Sequence, residues 1–137
     1  DIIKKYEDST NGLISLNRLV SHSEMIEIIK NSDYVISMEN KNSFMIPSKI
    51  FEYFSYNKRI IHFYSSKNDP TIFYFSKYPN VLLLNTNDEL NNNIDKFIAF
   101  SKTKIKRVEN LQQIYNMNTI KYTFDLINNH NNKNNIK

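Results

Sequence analysis

The strongest constraint on this chain is the order in which two hydrophobic periods alternate along it. Short apolar runs, Leu13 to Leu16, Asp33 to Met38, Arg59 to Tyr64 and Val81 to Leu84, are separated by stretches with helical spacing. Runs of four to six residues rich in Val, Ile, Leu, Tyr and Phe read as strands, and the last, nearly all apolar, reads as a strand buried on both faces. Between them, Met25, Ile26, Ile28 and Ile29 form an apolar helix face, as do Ile50, Phe51 and Phe54, and later Leu90, Ile94, Phe97 and Ile98. A repeated strand–helix order argues for an α/β fold, a parallel Rossmann-like sheet with flanking helices.

Local punctuation supports the same boundaries. Ser21-His22-Ser23-Glu24 has the spacing of a capping box before the first of these helices. Pro47 suits the first turn of the next, the Asn68-Asp69-Pro70 turn opens a short aromatic helix through Ser76, and Asn87 is expected to cap the helix of Leu90. Ile2, Ile3 and Tyr6 form a short stripe that reads as the end of a helix, so the chain is expected to be a piece of a longer protein. Two further helical patterns, Val108 to Asn116 and Thr119 to Asn128, give a helical C-terminal segment. The asparagine-rich end from Asn128 to Lys137 is expected to fray. One domain is therefore drawn over residues 1–129, followed by a disordered tail at 130–137.

Composition removes several function classes. The 137 residues include one glycine, where roughly ten would be ordinary for this length, so a glycine-rich phosphate loop cannot be built from Gly12 alone. Genome bias and the absence of a glycine-rich portion of the protein both account for the deficit. There is no cysteine, hence no disulfide framework or thiolate metal site, and a cytoplasmic setting is expected. No segment has the length of a bilayer span and no N-terminal stretch has the form of a signal peptide. The net charge is +4, but the lysines are interleaved with acids and only three arginines are present, which argues against a nucleic-acid partner.

The histidines do not make a metal site: His22 lies in the capping box, His62 in a strand and His130 in the tail, with no ligand spacing. No metal or cofactor is expected. His62 reads as a residue at the edge of the core, and no serine–histidine–acid spacing supports hydrolysis. Phe73, Tyr74, Phe75 and Tyr78 read as core packing in preference to a membrane-facing patch.

The segment with chemical content is Pro47-Ser48-Lys49-Ile50-Phe51-Glu52-Tyr53, followed by Asn57-Lys58-Arg59-Ile60-Ile61. It follows a strand and opens a helix, the place where α/β sheets bind ligands and where backbone N–H groups favour anions. Ser48 and Lys49 could meet a phosphate there, and Glu52, one turn on, could accept two ribose hydroxyls. A plain helix start, with Ser48 as cap, Lys49 solvated and Glu52 on the surface, fits the same residues.

This run resembles the proline-serine-lysine…glutamate-tyrosine signature of the C-terminal, nucleotide-sugar-binding domain of bacterial GT-B glycosyltransferases. Asn31 to Ser37 is similar to the strand just upstream in that family, and Leu16 to Glu24 to its base-contacting strand and turn. The resemblance runs from about Leu13 to Asn129. It implies a site that binds a UDP- or GDP-linked sugar: Glu52 on the ribose, Pro47, Ser48 and Lys49 near the diphosphate, Val20 and Ser21 at the base, and the loop of Asn40, Asn42 and Ser43 facing the sugar. The departures are Phe44 where the family has a first glutamate, Asn57 for a turn glycine and Arg59 for a proline.

The resemblance further implies transfer of a hexosyl unit to a glycan or lipid-linked acceptor in cell-surface polysaccharide biosynthesis, by a parent protein peripheral to the inner face of the membrane. The early strands and the acceptor domain would lie outside this chain. By itself it would be inactive, with catalytic residues unassigned and strand edges that favour association of copies. A nucleotide-sugar 2-epimerase of the same fold and a non-catalytic pseudo-transferase or interaction domain stand as alternatives.

Overall fold

The structure is a computed structural model that describes residues 2–40 and 45–109. The described residues divide into two compact units, with the boundary between Asn31 and Ser32.

In the first unit, helix α1 spans Ile2–Ser9 and helix α2 spans His22–Asn31. The N–H of Gly12 returns to the Glu7 carbonyl at 3.4 Å, with Asn11 and Gly12 at φ of 51° and 81°, so α1 ends in a left-handed turn. A β-carbon on Gly12 would meet nothing within 4 Å, so the backbone angle alone makes glycine suitable there. The strand expected at 13–16 does not form. Those residues are exposed, Leu13 at 90%, and pair with no strand among the described residues. Their N–H groups turn back to the preceding segment instead, Leu13 to the Thr10 carbonyl at 3.1 Å, Ile14 to Thr10 Oγ1 at 3.1 Å and Leu16 to Glu7 Oε1 at 3.2 Å. The capping box forms as expected, with Ser21 N–H donating to Glu24 Oε2 at 2.8 Å and Glu24 N–H to Ser21 Oγ at 3.3 Å.

The second unit is the α/β body. Strands β1 (Tyr34–Met38), β2 (Arg59–Tyr64) and β3 (Val81–Asn85) form a parallel sheet in that order. Helix α3 (Lys49–Ser55) joins the first two strands and α4 (Pro70–Phe75) the last two, and α5 (Leu90–Ser101) follows β3. The register pairs Ile36 with Ile61 and Leu82, and Ser37 with His62 and Leu83. Alternation then sorts the side chains onto two faces.

On one face, His62 meets Phe75 of α4, and Phe54 of α3 packs edge-on to Phe75 and against Tyr78. Ile50, Phe54, Ile60 and Phe75 are at most 1% exposed, and each such burial contributes about 1.5–3 kcal/mol. On the other face, Tyr34 packs on Phe97 and Phe100 of α5, and an apolar groove of about 290 Å³ runs between Ile61, Phe63, Leu84 and the helix residues Leu90, Ile94 and Phe97.

Two expectations need correction. Strand β3 is not buried on both faces: it is the last strand of the sheet and, of its residues, only Leu84 is buried. Asn87 does not cap α5, whose N-cap is Glu89. The Asn87 side chain instead donates to the Ser65 carbonyl at 2.9 Å. Asp69 does cap α4, accepting from Thr71 N–H at 2.8 Å with Pro70 in the first turn. Asn57 takes φ of 52° in the turn after α3, the conformation a glycine would otherwise supply. Of the two late helical patterns, Val108 and Glu109 are non-helical, and the remainder and the tail at 130–137 lie outside the described residues.

Candidate functional site

All three strands run the same way, so their carboxyl ends, Met38, Tyr64 and Asn85, form one edge. Backbone groups there leave the ladder and loops diverge from it, which is why open α/β sheets bind ligands at this edge. A cleft of about 430 Å³ lies along it. Its walls are Met38, Glu39 and Asn40 of β1 and its exit, Phe63, Tyr64 and Ser65 of β2 and its exit, and Thr86 after β3.

Glu39 organises the cleft. Its N–H extends the ladder to the Phe63 carbonyl at 2.8 Å. Its Oε2 accepts from the Ser65 N–H and the Ser65 hydroxyl, both at 2.6 Å, and from the Ser66 N–H at 3.3 Å. The Ser65 hydroxyl, then the Ser65 N–H, hold the Glu39 carboxyl below the usual carboxylate range, and Asp69 opposes this weakly. The third loop is tied to the second by Thr86 N–H to the Tyr64 carbonyl at 2.8 Å and by Asn87 to Ser65.

Behind this edge, under α4, lies a buried polar chain. His62 Nδ1 is 3.1 Å from Ser37 Oγ and its Nε2 is 2.7 Å from Asp69 Oδ2. A carboxylate only accepts, so Nε2–H donates to Asp69, and in the neutral ring Nδ1 accepts from the Ser37 hydroxyl. A serine–histidine–acid series therefore exists although no sequence spacing announced it. It is unsuited to nucleophilic attack: His62 is fully buried and Ser37 is 6% exposed. Its effect is to join β1 and β2 to the residue that caps α4. His62 belongs to the core itself and not to its edge.

The residues singled out from sequence fall in several places. Asn40 is exposed and lines the cleft. Asn42 and Ser43, with Phe44, lie outside the described residues. Pro47, Ser48, Lys49 and Glu52 come together at the start of α3 without lining the cleft. Ser48 is the N-cap but makes no side-chain cap bond, and Ser48 and Lys49 are exposed. Glu52 is half-buried, and its charge adds to burial in raising the Tyr53 phenol above its ordinary value. Val20 and Ser21 belong to the first unit, where the Ser21 N–H, hydroxyl and carbonyl are engaged by Glu24 and Met25 of α2.

Glu39, Ser65 and Thr86 were not singled out. One signal pointed to them: each is the first residue, or nearly so, after a strand in a parallel β-α series. Among the described residues no cluster of three or more His, Asp or Glu side chains could hold a metal ion. None of their helices is long and apolar enough to cross a membrane. No protein-family model, curated protein or solved structure matches the chain.

Proposed function

We propose that this chain is the donor-binding portion of a glycosyltransferase that moves a hexosyl unit from a nucleoside-diphosphate sugar to a glycan or lipid-linked acceptor in cell-surface polysaccharide biosynthesis. The observation that carries this reading is a cleft at the carboxyl ends of three parallel strands. Strand β1 leaves it through Asn40, and the same connection continues to the Pro47-Ser48-Lys49 start of α3 and to Glu52.

The chemistry of those groups suits a nucleotide sugar. The Glu52 carboxylate can accept both hydroxyls of a ribose, a pairing that a neutral side chain makes less strongly. The exposed Ser48 hydroxyl and Lys49 ammonium are available to a diphosphate. Transfer leaves negative charge on that diphosphate, and a lysine held beside it stabilises the charge as it develops. The acceptor would be met by another domain at the cytoplasmic face of a membrane.

The test is calorimetry and saturation-transfer NMR of the chain with UDP, GDP and their sugars. One nucleotide should bind, and Glu52→Ala should weaken it about tenfold or more, as expected for hydrogen bonds to a charged acceptor. Binding that is indifferent to Glu52→Ala, or no binding of either nucleotide, would sink the assignment and leave a non-catalytic interaction domain as the better reading.

A further inference from the structure

The cleft contains a carboxylate that neither the motif nor the proposed diphosphate contacts use. Three donors from Ser65 and Ser66 converge on Glu39 Oε2, whereas Oε1 receives no hydrogen bond from the described residues. The side chain is thus oriented by one oxygen, with acceptor capacity remaining on the other. Its carboxyl is held low by the Ser65 hydroxyl and N–H, so the group remains an anion at neutral pH. Around it the wall is mixed: Met38, Phe63 and Tyr64 offer apolar and aromatic surface, and Asn40 and Thr86 offer polar groups. A volume of about 430 Å³ falls within the usual range of small-molecule sites.

This combination selects a kind of ligand. A fixed carboxylate accepts hydrogen bonds from hydroxyl groups, and apolar surface receives the C–H faces of a sugar ring. The same carboxylate repels a phosphate or a second carboxylate placed within a few ångströms, more so where the walls reduce access to water. The cleft therefore fits a neutral, hydroxyl-rich group and opposes an anionic one.

We propose that Glu39 is a specificity-determining residue, and that it admits a neutral hexose to the cleft while rejecting a uronic acid. The proposal rests on the donor-binding reading and adds the class of sugar to it. Ser65 and Ser66 act as positioning residues, through the orientation they give Glu39.

The experiment compares UDP, UDP-glucose and UDP-glucuronate, with GDP, GDP-mannose and GDP-mannuronate in parallel, by calorimetry on the 137-residue chain and its variants. The wild-type chain should bind the neutral-sugar nucleotide at least about tenfold more tightly than its uronate counterpart, the scale of one like-charge contact at a partly solvated site. Glu39→Gln keeps an oxygen for the Ser65 and Ser66 donors and removes the charge. It should bring the two affinities to within about threefold while leaving the bare nucleotide unchanged. Asn40→Asp, at an exposed position where folding is not at risk, should widen the ratio instead.

A wild-type ratio near one, or a ratio that neither variant moves, overturns the specificity assignment and leaves the donor site standing. Equal weakening of UDP and UDP-glucose by Glu39→Gln would make Glu39 a loop support only, and overturns it as well. Failure of every nucleotide and nucleotide sugar to bind overturns the donor reading, and this proposal with it.

Discussion

The two edges of the sheet are built on opposite plans. At the amino edge, polar groups are consumed by the fold. The Arg59 guanidinium donates to the Phe100 carbonyl, to the Ser101 carbonyl at 3.2 Å and to Thr103 Oγ1 at 2.8 Å, closing the C-terminus of α5. It also lies over the Tyr34 and Phe100 rings, at 5.1 and 4.5 Å. Beside it, Asn80 donates to Asn57 Oδ1 and exchanges two bonds with the Lys106 backbone at 2.7 and 2.8 Å. The Tyr78 hydroxyl donates to the Lys58 carbonyl at 2.7 Å, and burial pushes its phenol up to about 12.

At the carboxyl edge the polar groups face a cleft. Glu39 and Ser65 bond to each other and to the backbone, but around open space. The difference teaches that a cation at a helix C-terminus can serve as a clasp where the chain must be closed, whereas an anion held by serines serves where it must stay open. Substitutions at the amino edge should therefore cost stability, and substitutions at the carboxyl edge should alter binding.

The largest effect is expected at His62, which tests whether the buried polar chain behind the cleft belongs to the stable half. His62→Ala removes a fully buried ring and leaves Ser37 and Asp69 without their partner. A loss of about 3–4 kcal/mol is expected from the cavity and the unpaired groups together, measured by urea unfolding. A loss below about 1 kcal/mol would break the picture of a buried link between β1, β2 and α4.

Arg59→Met should come next. It retains much of the apolar stem and removes the donors to α5, at a cost of roughly 2–3 kcal/mol. Loss of hydrogen-exchange protection should concentrate at the end of α5, and an even loss across the sheet would contradict the clasp.

The smallest stability effect is expected at Glu39, and its sign follows from the lowered carboxyl. A group whose folded pKa lies below its unfolded value contributes stability above the unfolded value, and that contribution is lost as pH falls through the folded one. Acid titration should therefore weaken the carboxyl edge below about pH 4.5, and Glu39→Gln should remove that part of the pH dependence. At neutral pH the variant should unfold at nearly the same urea concentration as the parent. A large neutral-pH loss would place Glu39 with the clasps of the opposite edge.

Much of the fold was legible because its signals are local. The β-branched and aromatic run at β2 has the bounds expected of it, the capping box at Ser21 and Glu24 forms, and the Asp69-Pro70 pair starts α4. Asn57, in place of a glycine, adopts the left-handed conformation its side chain tolerates. The apolar run at Leu13 failed because three apolar residues and a serine define a strand only when another strand accepts their N–H groups. β3 was misjudged for a related reason: nothing in its own residues says that it stands last in the sheet.

The candidate site was less legible than the fold. The start of α3 was singled out from its position after a strand and Asn40 from the family resemblance, but Glu39 looked like any loop acid until the register brought Ser65 to it. Ser37, His62 and Asp69 are 25 and 7 residues apart, intervals that carry no pattern.

By itself, then, the sequence determined an alternating α/β chain, the caps and turns that bound its elements, and the absence of a glycine-rich phosphate loop among them. Those properties depend on residues within about four positions of one another, where backbone preference and side-chain reach suffice. Which strand stands at the edge, which serines orient Glu39, and which carbonyls Arg59 closes were decided only in the tertiary structure. Such partners lie tens of residues away, and only the pairing of parallel strands brings them within hydrogen-bonding distance.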